Sequence, residues 1–243
     1  MSAKSPAIWL LHKSKIYSNP KNYILDNFNV IPPQTYWRLM NIGPGEQPTE
    51  TEIILANQIR ERDKSIYKMY SNHEAIPIDL VPKNIYPMYH KVKPVKVPLF
   101  AIYAAFIIIN QTLADILQNS RFGNNQIQNL QLYNTESGTL EKSPYYFINV
   151  CESYRYAKLK EGSNHAREYS GTNDSQIVYY QPDNQDEADN FSYAHDALNC
   201  PVDIWHDPLI RHSIFISDAL KNSISDAKLK KFVPLLSCDV QRE

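Results

Sequence analysis

The sequence predicts an α+β fold with mixed or antiparallel sheets and few short helices. Three observations lead there. Short runs of β-branched and aromatic residues, such as 106–109 and 145–150, are bounded by polar turn residues and read as buried strands. Helical periodicity is brief wherever it occurs. A strand–cap–helix–strand pattern also occurs twice in the C-terminal part, giving two similar units suited to docking into one core.

Taken in order, residues 1–48 hold six prolines that separate short aromatic pieces, of which 36–40 (Tyr, Trp, Arg, Leu, Met) read as a strand. Thr49 and Glu52 have capping-box spacing, and Ile53, Ile54, Ala56 and Ile59 mark a helical face that runs to about Arg62. Between Ile76 and Pro98 a proline recurs every few residues, which forbids a helix and disfavours a central strand. That stretch reads as an extended connector. It divides a Pro-rich, helical N-terminal region, 1–97, from an α+β domain, 98–243.

The first repeated unit starts with the strand 106–109, is capped by Asn110, and continues as a helix through Leu113, Ala114, Ile116 and Leu117. Ile127, Leu130 and Leu132 resume extended chain, and 145–150 is the clearest strand. The second unit runs from the strand 214–216 through the cap Ser217, with Asp218 favourably placed at the helix N-terminus, to a helix bearing Ala219, Leu220, Ile224 and Ala227. Residues 232–236 then form an exit strand. Between the units, 158–208 is long and polar, with one strand at 176–180. It carries the densest charge run of the chain, Asp183, Asp186, Glu187, Asp189 and Asp196.

Composition removes several function classes. The 243 residues have a formal net charge of −1, and the one basic stretch, Lys91, Lys93 and Lys96, has no companion face, so no nucleic-acid partner is expected. The charge is unevenly spread: residues 1–125 carry 14 Lys and Arg against 9 Asp and Glu, and residues 126–243 carry 11 against 17. The six glycines make neither a dinucleotide fingerprint nor a phosphate loop; Gly43 and Gly45 begin one, but Pro48 stands where its third glycine belongs. No membrane partner is expected, because the longest apolar run, 99–109, falls short of the roughly 20 residues that span a bilayer. The N-terminus has no signal-peptide pattern, and Cys151, Cys200 and Cys238 form no C-x-x-C, so the expected location is cytoplasmic.

No catalytic constellation stands out. His195, Cys200, His206 and His212, with Asp196, Asp203 and Asp207 among them, have zinc-ligand chemistry without zinc-ligand spacing, so neither a metal nor any other cofactor is expected. Cys151 or Cys200 would need His165 or His195 as a base to act as a nucleophile, and neither cysteine sits in a local catalytic signature. Asp186, Glu187 and Asp189 have the chemistry of paired carboxylates, but in a polar loop they read as a solvated face that steers association. A chain of this size without convergent chemistry reads as a binding protein rather than an enzyme.

Three stretches also carry a resemblance: the 106–117 unit followed by Gln126, Ile127, Gln128, Asn129, Leu130, Gln131 and Leu132; the 145–150 strand; and Ile214, Phe215, Ile216, Ser217, Asp218, Ala219, Leu220 and Lys221 with Phe232, Val233, Pro234 and Leu235. From about Pro98 to Val240 the chain resembles a bacterial family of immunity proteins of polymorphic toxin systems, first named from a myxobacterial member. Tyr36, Trp37, Arg38 and Leu39 look like that family's N-terminal strand. The chain departs from the family in having Lys230 and Lys231 where a glycine often ends the last helix. The resemblance implies a cytoplasmic protein that binds and occludes a cognate toxin in interbacterial competition. The expected contact residues are Asp183, Asp186, Glu187, Asp189 and Asp196, with Tyr193 and Trp205 as aromatic anchors. The alternatives are an enzyme, either a hydrolase using Cys200 and His195 or a transferase that reverses a toxin's modification, and a structural assembly subunit.

Overall fold

The computed structural model describes residues 7–11, 17–18, 23–26, 47–87, 98–102, 106–134, 137, 139–161, 168–169 and 177–241. The first half of the chain supplies β1 (Ile8–Leu11), β2 (Tyr17–Ser18), β3 (Tyr23–Asp26), α1 (Glu50–Ser71), β4 (Asn84–Pro87), β5 (Leu99–Ile102), β6 (Phe106–Asn110) and α2 (Gln111–Gln118). It is followed by β7 (Gln126–Asn134), β8 (Thr139–Asn149), β9 (Ala157–Leu159), β10 (Glu168–Tyr169), β11 (Val178–Tyr180), α3 (Gln185–Ala188) and β12 (Phe191–Tyr193). After a 3₁₀ turn at His195–Asn199 come β13 (Ile204–Trp205), β14 (Ile210–Arg211), β15 (Phe215–Ser217), α4 (Asp218–Asp226) and β16 (Leu235–Ser237). The fold is α+β, as the strand and helix patterning predicts. The strand expected at 36–40 lies outside the described residues.

Two sheets organise the molecule. The larger is a seven-stranded mixed sheet in the order β2, β5, β6, β8, β7, β4, β3. The smaller is a four-stranded antiparallel sheet in the order β13, β15, β1, β16. Shorter ladders join β12 to β9, and β11 to β10 and β14. Residues from both sides of the supposed 97/98 division are therefore paired in the same sheets. β1 sits between β15 and β16, and β4 runs parallel to β7. The division marks no break in the sheets, and the proline-rich connector contributes β4, which the local pattern did not reveal.

β1 in the small sheet and β6 in the large one each bury both faces. Along β1, Ile8 and Leu10 point one way and Trp9 and Leu11 the other; along β6, Ile107 and Ile109 oppose Phe106 and Ile108. This period of two sorts the apolar side chains into three cores. The central core lies between the sheets and holds α2 and α4 through Leu113, Leu117, Leu220 and Ile224. A second core, with Phe191, Tyr193, Trp205 and Phe215, covers the outer face of the small sheet. A third packs α1 onto the large sheet through Ile66, Tyr70, Phe106 and Phe147. The Tyr70 ring packs at a tilt 4.8 Å from Phe106 and 5.6 Å from Phe147, and its hydroxyl accepts the Ile107 N–H at 3.0 Å.

Helix α1 starts on the expected capping box of Thr49 and Glu52 but runs to Ser71 rather than Arg62. Ile66 and Tyr70 extend its inward face, while Ile53 and Ile54, expected on that face, are 48% and 53% exposed. Its C-terminus closes through His73 in the left-handed conformation (φ 58°), with Glu74 N–H on Met69 O at 2.9 Å, the bond that defines a Schellman stop. Pro144 lies within β8, the central strand of the large sheet, where a missing N–H would ordinarily disrupt the ladder. The register shift opposite Asn129 and Gln131 accommodates it. Asn129 Nδ2 donates to the Ser143 and Tyr145 carbonyls, and Ser143 Oγ accepts the Tyr145 N–H.

The two repeated units are joined at Asp203. Asn110 and Ser217 cap α2 and α4 as expected, accepting the N–H groups of Leu113 and Leu220. Ser217 Oγ also donates to Asp203 Oδ1 at 2.7 Å, and the same carboxylate accepts Arg121 N–H at 2.9 Å and Arg121 Nη2 at 2.7 Å. Thus the segment leaving the first helix is bolted to the residue that starts the second. Trp9 adds β1 to this junction, donating Nε1–H to Asp218 Oδ1 at 3.1 Å beneath the Lys221 ammonium. Gly123 follows with φ 63°, and a Cβ there would lie 2.7 Å from the Val202 Cγ1 methyl as well as against the Glu152 carboxylate, so a side chain would be strained in both backbone and packing.

Burial works to raise the Asp203 carboxyl, but its bonds from Arg121 and Ser217 hold it below the ordinary carboxylate range. The stability that it contributes is therefore present above about pH 4 and is lost as pH falls through its lowered folded value. Asp203→Ala is expected to cost about 3 kcal/mol in urea denaturation, against about 1 kcal/mol for Arg121→Ala, whose guanidinium is half exposed. Thermal melts between about pH 7 and about pH 2.5 should fall less steeply for Asp203→Asn than for the native chain; an unchanged slope would contradict this role.

Candidate functional site

The acidic stretch is ordered by bonds within itself. Asn184 Oδ1 caps α3 by accepting the Glu187 N–H at 2.8 Å, and Glu187 in turn accepts from Asp183 N–H and Asn184 Nδ2. Asn190 Nδ2 closes the other end on the Asp186 and Glu187 carbonyls. Buried Ala188 roots the helix in the outer core, and buried Ala197 does the same for the following 3₁₀ turn. Among its described residues, what sequence reads as a long polar loop is thus a set of short, anchored elements. Three-residue strands such as β12 are too short to show a period.

α3, the 3₁₀ turn and the C-terminal chain enclose an open groove of about 530 Å³. Gln185, Asp189, His195, Leu198, Asp239 and Val240 are among its lining residues. The wall is fixed by a side chain acting as a strand. Gln185 Nε2 donates to Ser237 O at 2.8 Å and Gln185 Oε1 accepts Ser237 N–H at 3.1 Å, covering the outer edge of β16. The same Nε2 donates to Asp189 Oδ1 at 2.7 Å. Beyond β16 the chain switches partner, with Tyr193 N–H on Asp239 O and Gln241 N–H on Tyr193 O. Lys160 pairs with Asp239 at 2.7 Å, where both side chains are substantially exposed.

Asp183, Asp186 and Asp189 lie exposed on and beside α3, and Asp239 joins them from the C-terminal chain. Asp196 is exposed on the 3₁₀ turn next to His195. Of the acidic residues expected at a contact surface, Asp189 lines the groove; Asp183, Asp186 and Asp196 are exposed on or beside two of the elements that form it without being among its lining residues, and the Glu187 carboxylate is bonded to Asp183 N–H and Asn184 Nδ2. The two expected aromatic anchors are not there. Tyr193 and Trp205 are each 1% exposed and belong to the outer core, Tyr193 meeting Phe215 edge to face at 5.3 Å and Trp205 stacking on it at 5.9 Å. Their expected role as surface anchors is corrected: they hold the floor on which the acidic elements rest. Sequence missed Gln185, Asp239 and Val240, which reach the groove only through the long-range return of the C-terminus.

The remaining titratable groups are scattered. Among the described residues no group of three His, Cys, Asp or Glu side chains converges to hold a metal ion. Cys200 and Cys238 are buried, and burial pushes both thiols up. Cys151 is half-buried and pushed up to about 11, chiefly by burial and then by the Glu152 charge. Asp207 is buried and raised by burial, although it accepts the Tyr156, Ala157 and Leu209 N–H groups at 2.7, 2.7 and 2.9 Å. It ties the start of β9 to the turn before β14. A second groove, of about 690 Å³, has the opposite charge, with Arg155 and Lys158 beside Tyr156, Leu159 and Ile177.

Comparison with family models and with curated proteins finds no match for this chain.

Buried or protonated thiols are poor nucleophiles. At about pH 7.5 Ellman's reagent should label the folded protein slowly at all three cysteines and react promptly only after denaturation. Fast labelling of Cys200 in the folded protein would contradict this assignment and favour the hydrolase alternative.

Proposed function

We propose that this chain is an immunity protein of the polymorphic-toxin type, which binds a cationic surface of a cognate toxin domain in the cytoplasm and occludes it. The observation that carries the reading is the groove between α3, the 3₁₀ turn and residues 237–241, lined by Asp189 and Asp239, with Asp183, Asp186 and Asp196 exposed on or beside the elements that form it. Its walls are held by backbone and side-chain bonds before any partner arrives, so little ordering entropy is spent on association. Exposed carboxylates of one sign speed encounter with a cation-rich partner and disfavour acidic ones. Leu198 and Val240 offer apolar surface within the groove, the combination of apolar centre and charged rim that protein interfaces use.

The resemblance of the strand–cap–helix units supports the same reading, since in that family the motifs are structural rather than catalytic. Occlusion asks for no cofactor. No helix among the described residues is long and apolar enough to cross a membrane. The hydrolase alternative draws no support from Cys200, whose thiol is buried and pushed up chiefly by that burial.

Asp186 and Asp196 are the residues to reverse, because both are exposed and neither carboxylate caps α3 as that of Glu187 does. With a candidate toxin domain sought in the adjacent reading frame and co-expressed, Asp186→Lys combined with Asp196→Lys should weaken binding at least about tenfold and abolish protection, while Tm moves by less than about 3 °C. Trp205→Ala should instead unfold the protein at lower denaturant, losing about 3–5 kcal/mol. Unaltered affinity in the double variant, or protection at toxin in large molar excess, would overturn the proposal.

A further inference from the structure

Beside the second groove, β9 keeps one edge open. Among the described residues it pairs with β12 alone. Ala194 N–H on Tyr156 O and Lys160 N–H on Asn190 O turn Tyr156 and Lys160 toward that partner. Backbone groups alternate along a strand, so Ala157 and Leu159 turn the other way. Ala157 N–H is taken there by Asp207 Oδ2 at 2.7 Å. Past that bond the Leu159 N–H and carbonyl meet no described strand, unlike the edge of β16, which Gln185 covers.

The groove is lined by this edge and by Tyr179 of β11, whose N–H is bonded to Leu209 O. Leu159, Ile177 and Leu209 supply its apolar surface, and Ile177 is 55% exposed. Arg155 and Lys158 are exposed at it, neither forms an ion pair with a described residue, and no described lining residue is acidic. The carboxylate that feels the Arg155 charge is Asp207, and its oxygens already accept the Tyr156, Ala157 and Leu209 N–H groups. Like charges brought edge to edge repel, so two copies of β9 pair poorly. A strand that carries carboxylates meets opposite charge instead.

We propose that the open edge of β9 takes up an extended acidic segment of a partner protein as an added strand. Backbone bonds to Leu159 attach it, and its side chains alternate between two faces. Ala157 and Leu159 share the face of β9 that meets the outer core, and Lys158 lies on the other. An apolar residue beside Leu159 and Ile177 therefore alternates with an acidic one beside Lys158, and Arg155 adds charge at the start of the strand. A three-residue edge offers few backbone bonds, so the contact is reversible and leans on charge. The acidic groove lies on the opposite flank of β12, where residues 239–241 pair with Tyr193. This site takes a partner of opposite charge to the one proposed there and does not rest on that reading.

The probe is a fluorescein-labelled peptide of about eight residues, alternating valine and glutamate, titrated against the full chain by fluorescence anisotropy. It should bind at least about tenfold more tightly than a peptide alternating valine and lysine. Arg155→Gln combined with Lys158→Gln should weaken it at least about fivefold, while Tm moves by less than about 3 °C. In the native chain, saturation with the probe should slow hydrogen exchange of the Leu159 amide at least about tenfold. An added strand turns only every second amide toward β9, so of two probes N-methylated at alternate residues one should lose at least about tenfold and the other should not. Equal binding of the two charge forms, an unchanged Leu159 amide or equal effects of both N-methylations would overturn the proposal, whether or not the double variant folds normally. Displacement of the probe by free glutarate at the same concentration would overturn it in favour of a small-anion site.

Discussion

The Asp203 carboxylate is the interaction on which the arrangement of the molecule depends. It is nearly buried, and such a group is tolerated in the folded state only because donors surround it. Those donors come from the two repeated units: Arg121 leaves the first and Ser217 starts the second. Ser217 caps α4 with the same hydroxyl oxygen that donates to Asp203, so cap and brace cannot be separated. With α2 and α4 fixed beside each other, the apolar side chains between the sheets close over them, and β1 finds its place between β15 and β16.

The small sheet must then protect its edges, and it does so with side-chain amides. At β13, Asn125 Nδ2 donates to Ile204 O at 2.9 Å, and its Oδ1 accepts the Cys151 and Glu152 N–H groups. At β16, Gln185 supplies both a donor and an acceptor to Ser237. Open edges invite further strands. Here, covering one of them also builds the wall of the groove, because Gln185 stands at the start of α3 and reaches Asp189. The surface proposed for binding is thus a by-product of how the sheet ends, which explains its rigidity without any additional device.

How much of this was legible depends on the range over which each feature is encoded. The caps Thr49, Asn110 and Ser217 were readable because capping involves residues three apart. The alternating strands around Ile108 and Phe147 were readable for the same local reason. The pairing of β1 with β15 and β16 joins opposite ends of the chain and leaves no local mark, and β4 was obscured by the prolines around it. Asp186, Asp189 and Asp196 declared themselves by charge density, whereas Asp239 and Gln185 did not. Tyr193 and Trp205 were misassigned because an aromatic residue in a polar stretch looks like an anchor, and strands of two or three residues do not show which side faces inward.

Two grooves of opposite charge lie on this scaffold, and the functional account commits to the acidic one. The most direct measurement is hydrogen-exchange mass spectrometry of the protein with and without the toxin domain that the proposal requires. The account requires added protection at 185–189, 195–199 and 237–241, with 155–159 and 177–180 unchanged. Protection confined to the Arg155 and Lys158 groove would contradict it.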